Sequence, residues 1–184
     1  MQKTDYFELL ESLASLSHKS VRLACGETAS KESGGLRHEA DRLLCDCERA
    51  LFSDFLPPLE RHSIAICAHA LSGVLRKAQA LQSASPLPGT GNRDSYTCCL
   101  VLSQQLTEEI PLLRTVRKPR ATPNVEGFRQ KLLAANVCHE HMQKQLAVGT
   151  LPRTCSETVR NLIALRLALT AAFDTLVEVM LMNI

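Results

Sequence analysis

Apolar residues recur along this chain at intervals of three and four, and that period belongs to helices. In 36–55, Leu36, Ala40, Leu43, Leu44, Cys47, Ala50 and Leu51 make an unbroken stripe. Arg37, Glu39, Asp41, Arg42, Asp46, Glu48 and Arg49 occupy the other faces. In 59–83, Ile64, Cys67, Ala68, Leu71, Val74, Leu75, Ala78 and Leu81 repeat the pattern. Aromatics are 4% of the chain and Trp is absent, so any core must be built mostly from Leu, Ala, Val, Ile and Cys. Leu and Ala are strong helix formers, and few residues here favour strands.

Four more segments follow the same rule. Leu9, Leu10, Leu13, Leu16 and Leu23 share one side of 4–29. Cys99, Leu102, Leu106, Ile110, Leu113 and Val116 mark a helix that opens near Asp94, a suitable N-cap, and that Pro111 should kink. Phe128, Leu132, Ala135, His139, Met142 and Leu146 stripe 124–148, which Gly149 should close. The last helix spans 152–182, with Pro152 in its first turn. Breaks are expected at 30–35, which carries Gly34 and Gly35, at Pro57-Pro58, and at 118–123. The strongest linker signal is 83–92, rich in Ser, Pro and Gly. Short hinges favour antiparallel neighbours. The expected fold is therefore all-α: a single domain, 1–184, forming a six-helix bundle of two pseudo-repeated antiparallel three-helix units, 1–85 and 92–184. Leu36, Ala40, Leu43 and Cys47 superpose on Ala135, His139, Met142 and Leu146, which suggests an internal duplication.

Charge and hydropathy narrow the class. Net charge is +2, which gives no electrostatic footprint for nucleic acid. The most apolar stretch, 162–184, is interrupted by Arg166, Asp174 and Glu178, so it reads as a buried helix and not a membrane span. The N-terminus lacks an apolar signal core. A soluble, cytoplasmic protein, peripheral to a membrane at most, is expected. The eight cysteines are therefore read as reduced and mostly structural. No Cys-x-x-Cys occurs.

Other chemistry is thinly signalled. His139-Glu140-His141 invites a zinc reading, but residues two apart point to different sides of a helix. His139 lies on the apolar stripe, so a buried, hydrogen-bonded histidine is expected there. Cys45 and Cys47 share the spacing problem, and His62 and His69 are two turns apart. No Gly-x-Ser-x-Gly elbow, P-loop or His-Glu-x-x-His is present, so no enzyme is expected. Arg114, Arg117, Lys118 and Arg120 form a basic cluster, read as a solvated loop near a helix C-terminus.

One stretch is more specific. From Leu36 through Leu51-Phe52-Ser53-Asp54-Phe55-Leu56 to Pro57-Pro58-Leu59-Glu60-Arg61-His62-Ser63-Ile64, the chain resembles the PhoU-like phosphate transport regulators. There an acidic helix ends in a Phe-rich turn, and a Thr-Pro-x-Asp-Arg-Glu-Asp-Ile signature opens the next. The resemblance covers Gly34 to Ser83. Read without the family, the signature is a helix start: Pro58 precedes it, Glu60 lies in the first turn where the dipole favours a carboxylate, and Arg61 can reach a neighbouring helix end.

The resemblance implies the same six-helix plan and a regulator that acts through protein contacts. Its partners would be a phosphate transporter component or a sensor kinase, and homodimerisation fits such a role. It also implies a cation cluster held by acidic residues four apart on facing helices. Here those positions carry Arg37 and Asp41, Ser72 and Arg76, and Asn136 and Glu140. Arginines there would repel a cation, so no multinuclear cluster or other cofactor is expected. Asp41 and Glu140 are the residual metal-site positions, and Asp174 and Glu178 form a nearby acidic pair. The alternatives are a helical-bundle interaction protein of another pathway and a Cys/His metal-binding protein.

Overall fold

Asp5 starts the first helix. In the computed structural model, which describes residues 5–26, 33–54, 57–84, 93–116 and 122–183, its Oδ1 accepts from Phe7 N at 3.0 Å and Glu8 N at 3.1 Å. Those bonds satisfy two of the amide groups that a helix start leaves open. Helix α1 runs Tyr6–Ala24 and gives way at Gly26, whose φ of 80° suits glycine. It is shorter than the expected 4–29. Helix α2 is Ser33–Ser53. Gly34 and Gly35 belong to its first turns, although the sequence suggests a break there: the stripe behind them gains enough from packing to carry the helix through.

Helix α3 is Arg61–Gln82 and α4 is Arg93–Glu109. Asp94 lies inside the first turn of α4, because Arg93 is already helical. At Pro111 the missing N–H deletes a helical bond, and the chain tightens into a 3-10 segment, Ile110–Thr115, where a kink was expected. Helix α5 is Val125–Val148. Asn124 caps it, its Oδ1 accepting from Gly127 N at 2.9 Å, and Gly149 closes it with a φ of 77°. Pro152 precedes a short 3-10 turn, Arg153–Cys155, and α6 follows as Ser156–Met182. The described residues contain no strand. The linker at 83–92 and the break at 118–123 lie largely outside them, as do Arg117, Lys118 and Arg120.

Helices α3 and α6 form the spine. Helix α3 packs most extensively on α6 and α1; α2 lies on α1 and α3; α5 lies on α4 and α6; and α4 also meets α1. The apolar stripes face inward as their spacing requires. Every named stripe residue of α3 is buried, as are Cys99, Leu102, Leu106, Ile110, Leu113 and Val116. One continuous core draws on every helix. Fully buried leucines such as Leu10, Leu102, Leu162 and Leu169 each contribute about 2 kcal/mol of transfer free energy. Phe128 of α5 stacks on Phe173 of α6, ring centroids 3.8 Å apart. Among the described residues, no helix is long and apolar enough to cross a membrane.

Candidate functional site

The joint between α2 and α3 is held by hydrogen bonds from one arginine. Arg61 Nε donates to the carbonyl of Leu51 at 2.9 Å, and its Nη2 donates to the carbonyl of Asp54. Both acceptors belong to the end of α2, where a helix leaves carbonyls without partners. The planar, permanently charged guanidinium suits two acceptors at once. Tyr6 reaches the same corner from α1: its hydroxyl donates to Asp54 Oδ2 at 2.7 Å. Burial and the Asp54 carboxylate both hold the Tyr6 phenol well above its ordinary range.

Glu60 is placed differently from the sequence reading. Helix α3 begins at Arg61, so Glu60 is the N-cap and not part of the first turn. Its side chain makes no capping bond; its carbonyl accepts from Ile64 N at 3.1 Å. Leu59 and Ile64 stand at the positions of a hydrophobic staple, and both are buried. The helix start is thus fixed by Pro58, the Leu59 and Ile64 anchors and the Arg61 clamp, with Glu60 exposed beside them.

A groove of about 310 Å³ opens next to this joint, lined by Leu51, Phe52, Arg61, His62, Ala65 and His69 among others. Phe52 is 93% exposed at its edge. The ring leaves apolar surface in water beside the groove. His69 Nε2 lies 3.0 Å from Glu48 Oε1 across the groove. His62 and His69 therefore line one feature, though two turns separate them.

The acidic positions do not gather. Asp41 is exposed and pairs with Arg37, 3.7 Å away on its own helix. Glu140 is exposed on α5. Helices α2 and α5 pack on opposite flanks of the spine, α2 on α1 and α3, α5 on α4 and α6. Ser72 is buried in α3, and Asp174 and Glu178 are exposed on α6. Among the described residues, no group of three or more His, Cys, Asp or Glu side chains could hold a metal ion.

Two other expectations need correction. His139 is buried, 3% exposed, but neither ring nitrogen has a hydrogen-bond partner among the described residues. Burial first, and then the nearby Arg166 guanidinium, push its imidazole down to about 4. Arg114, read as part of a solvated basic loop, is instead clamped. Its Nε donates to Glu11 Oε1 at 2.6 Å and its Nη1 to Asp5 Oδ2 at 3.2 Å, while its guanidinium carbon sits 5.4 Å from the Phe7 ring centroid.

No disulfide is formed. Cys47, Cys67, Cys99 and Cys155 are buried, whereas Cys25, Cys98 and Cys138 are half-buried and Cys45 is exposed. Burial pushes the Cys67 thiol up to about 12 and the Cys47 thiol to about 11, which makes both poor nucleophiles at neutral pH.

No protein-family model matches the chain, and no curated protein is detectably similar to it. The site must be judged on its own geometry.

The sequence reading missed two features. Phe52 lies off the apolar stripe of α2, which was the available signal that it faces out. The approach of Cys98 to Cys138 joins residues 40 apart, and no local spacing announces it.

Proposed function

We propose that this chain is a non-enzymatic regulator of the PhoU-like kind, acting through protein contacts in phosphate transport or signalling. Its partner would be a phosphate transporter component or a sensor kinase at the cytoplasmic membrane face. The observation that carries this reading is the groove beside the α2–α3 joint, with Phe52 93% exposed at its rim. An exposed aromatic next to an apolar groove is what a helical anchor on a partner would cover. The residues that build this corner, Phe52 and Pro57 to Ile64, are those that carry the resemblance.

The helix packing supports the duplicated plan. Exchanging α1, α2 and α3 for α4, α5 and α6 turns the α1–α2, α2–α3 and α1–α3 contacts into α4–α5, α5–α6 and α4–α6, and returns α3–α6 and α1–α4 to themselves. All of these contacts are present. Two three-helix units related in this way fit the twofold six-helix plan that the resemblance implies.

The second reading, an interaction protein of another pathway, is favoured by Arg37 and Arg76 at positions where the resemblance calls for carboxylates. One experiment separates the two. The cytoplasmic parts of a phosphate transporter and of its sensor kinase are immobilised and challenged with wild-type protein and with Phe52→Asp. The expected outcome is binding by the wild type and at least about tenfold weaker binding by the variant, as for a hot-spot aromatic. The melting temperature should be unchanged, because an exposed ring contributes little to the core. Failure of the wild type to bind either component would remove the phosphate role.

A further inference from the structure

Helix α5 is thinly buried along its length. Of its 24 residues only Phe128, Ala135, His139 and Met142 are buried, and Leu133 and Val137 stand 66% and 61% exposed. One of the four buried residues, His139, is the imidazole without a hydrogen-bond partner among the described residues. An uncompensated buried polar ring weakens the attachment that its burial would otherwise give. The helix next to it, α4, places Cys98 opposite Cys138, and the two sulfurs lie 3.9 Å apart. Both residues are half-buried and not sealed within the core. Their competitors are held back. Cys99 is 0% exposed, and Cys25 Sγ is engaged with the carbonyl of Tyr96 at 3.6 Å.

We propose that Cys98 and Cys138 form a reversible disulfide that clasps α5 onto α4, with a small-molecule or protein disulfide as the oxidant. A bond of about 2.05 Å requires the sulfurs to close by roughly 1.9 Å, within reach of side-chain rotation and a small helix adjustment. The chemistry is exchange. One cysteine thiolate attacks a sulfur of the oxidant R–S–S–R, forming a mixed disulfide and expelling RS⁻. The second thiolate then attacks the protein sulfur of that mixed disulfide and expels the second RS⁻. Two electrons pass from the cysteine pair to the oxidant, and the two thiol protons end on two molecules of RSH. Burial and the neighbouring Cys138 thiol push the Cys98 thiol up to about 11. Cys98 therefore holds little thiolate at neutral pH, and its own attack accelerates with rising pH.

The effect on the molecule follows from position. The new bond closes a loop over a separation of 40 residues and pins the helix whose own burial is thinnest. It spans the segment from α4 through the 3-10 turn to α5, including the Arg114 clamp. Reduction returns α5 to the attachment given by its four buried side chains.

The test uses the full chain, oxidised glutathione as the probe, and dithiothreitol for reversal. After oxidation, alkylation of Cys98 and Cys138 should fall together, and the tryptic peptides 94–114 and 132–144 should appear joined. A Cys99→Ala background removes ambiguity between the adjacent cysteines. The melting temperature should rise by roughly 10 °C on oxidation and fall back on reduction. Cys138→Ser should show neither the joined peptides nor the rise. The proposal is overturned if both cysteines remain fully alkylated after oxidation, if Cys138 is joined to Cys25 or Cys99 instead, if glutathione adducts persist on both sites, or if the joined peptides form without any rise in melting temperature. The wild-type peptide map decides the matter even if a variant folds poorly.

Discussion

His139 shows how a single residue sets a pH response. Its imidazole titrates near 4 in the folded protein and near 6.5 when the chain is unfolded. Between those values the unfolded state binds the extra proton, so stability falls as pH is lowered. The contribution is complete above pH 6.5 and is lost progressively toward pH 4, to a total of about 3 kcal/mol. His139→Leu should remove that slope, as chemical denaturation at a series of pH values between 7 and 4 would reveal. At pH 7 the variant should be at least as stable as the wild type, because it also removes two buried nitrogens that have no partner among the described residues. A variant that kept the wild-type slope would place the titration on another group. The position was legible in sequence, since His139 falls on an apolar stripe. The missing partner was not: that depends on which atoms α4 and α6 bring against the ring.

At the scale of elements, the joint between α2 and α3 is the most informative. Proline and a staple position explain why a helix can start near residue 60, and both are local features. The clamp is not local in the same sense. Arg61 binds carbonyls of Leu51 and Asp54, and Tyr6 arrives from α1 to hold the Asp54 carboxylate. Arg61→Met should therefore cost about 2 kcal/mol in equilibrium unfolding, the value of charge-assisted bonds to helix-end carbonyls. Arg61→Lys should recover only part of that, since a point charge cannot serve two acceptors with fixed geometry. Full recovery by lysine would mean that charge alone matters at this joint. The α4 boundary teaches the opposite lesson. There a local feature sufficed: Pro111 marked the irregularity, and its missing N–H accompanies the 3-10 segment in which Ile110 and Leu113 are buried.

At the scale of the whole molecule, the hydrophobic core is continuous across both halves, with α3 against α6 and α1 against α4. Neither half can bury its apolar faces without the other. Thermal unfolding should accordingly show one transition, with calorimetric and van't Hoff enthalpies equal. Two resolved transitions would mean that the halves are independent domains. The helical class, the stripes of α2 to α5 and the closing role of Gly149 were all determined by the chain alone. Each rests on residues within a turn or two of one another, where spacing and propensity act directly. Tertiary structure decided the rest. It separated Asp41 from Glu140, left Phe52 in water, tied Arg114 to Glu11 and Asp5, and set Cys98 against Cys138. Those outcomes depend on which helix faces meet across the bundle. A periodic pattern says that a face is buried, but it carries no record of the face it is buried against.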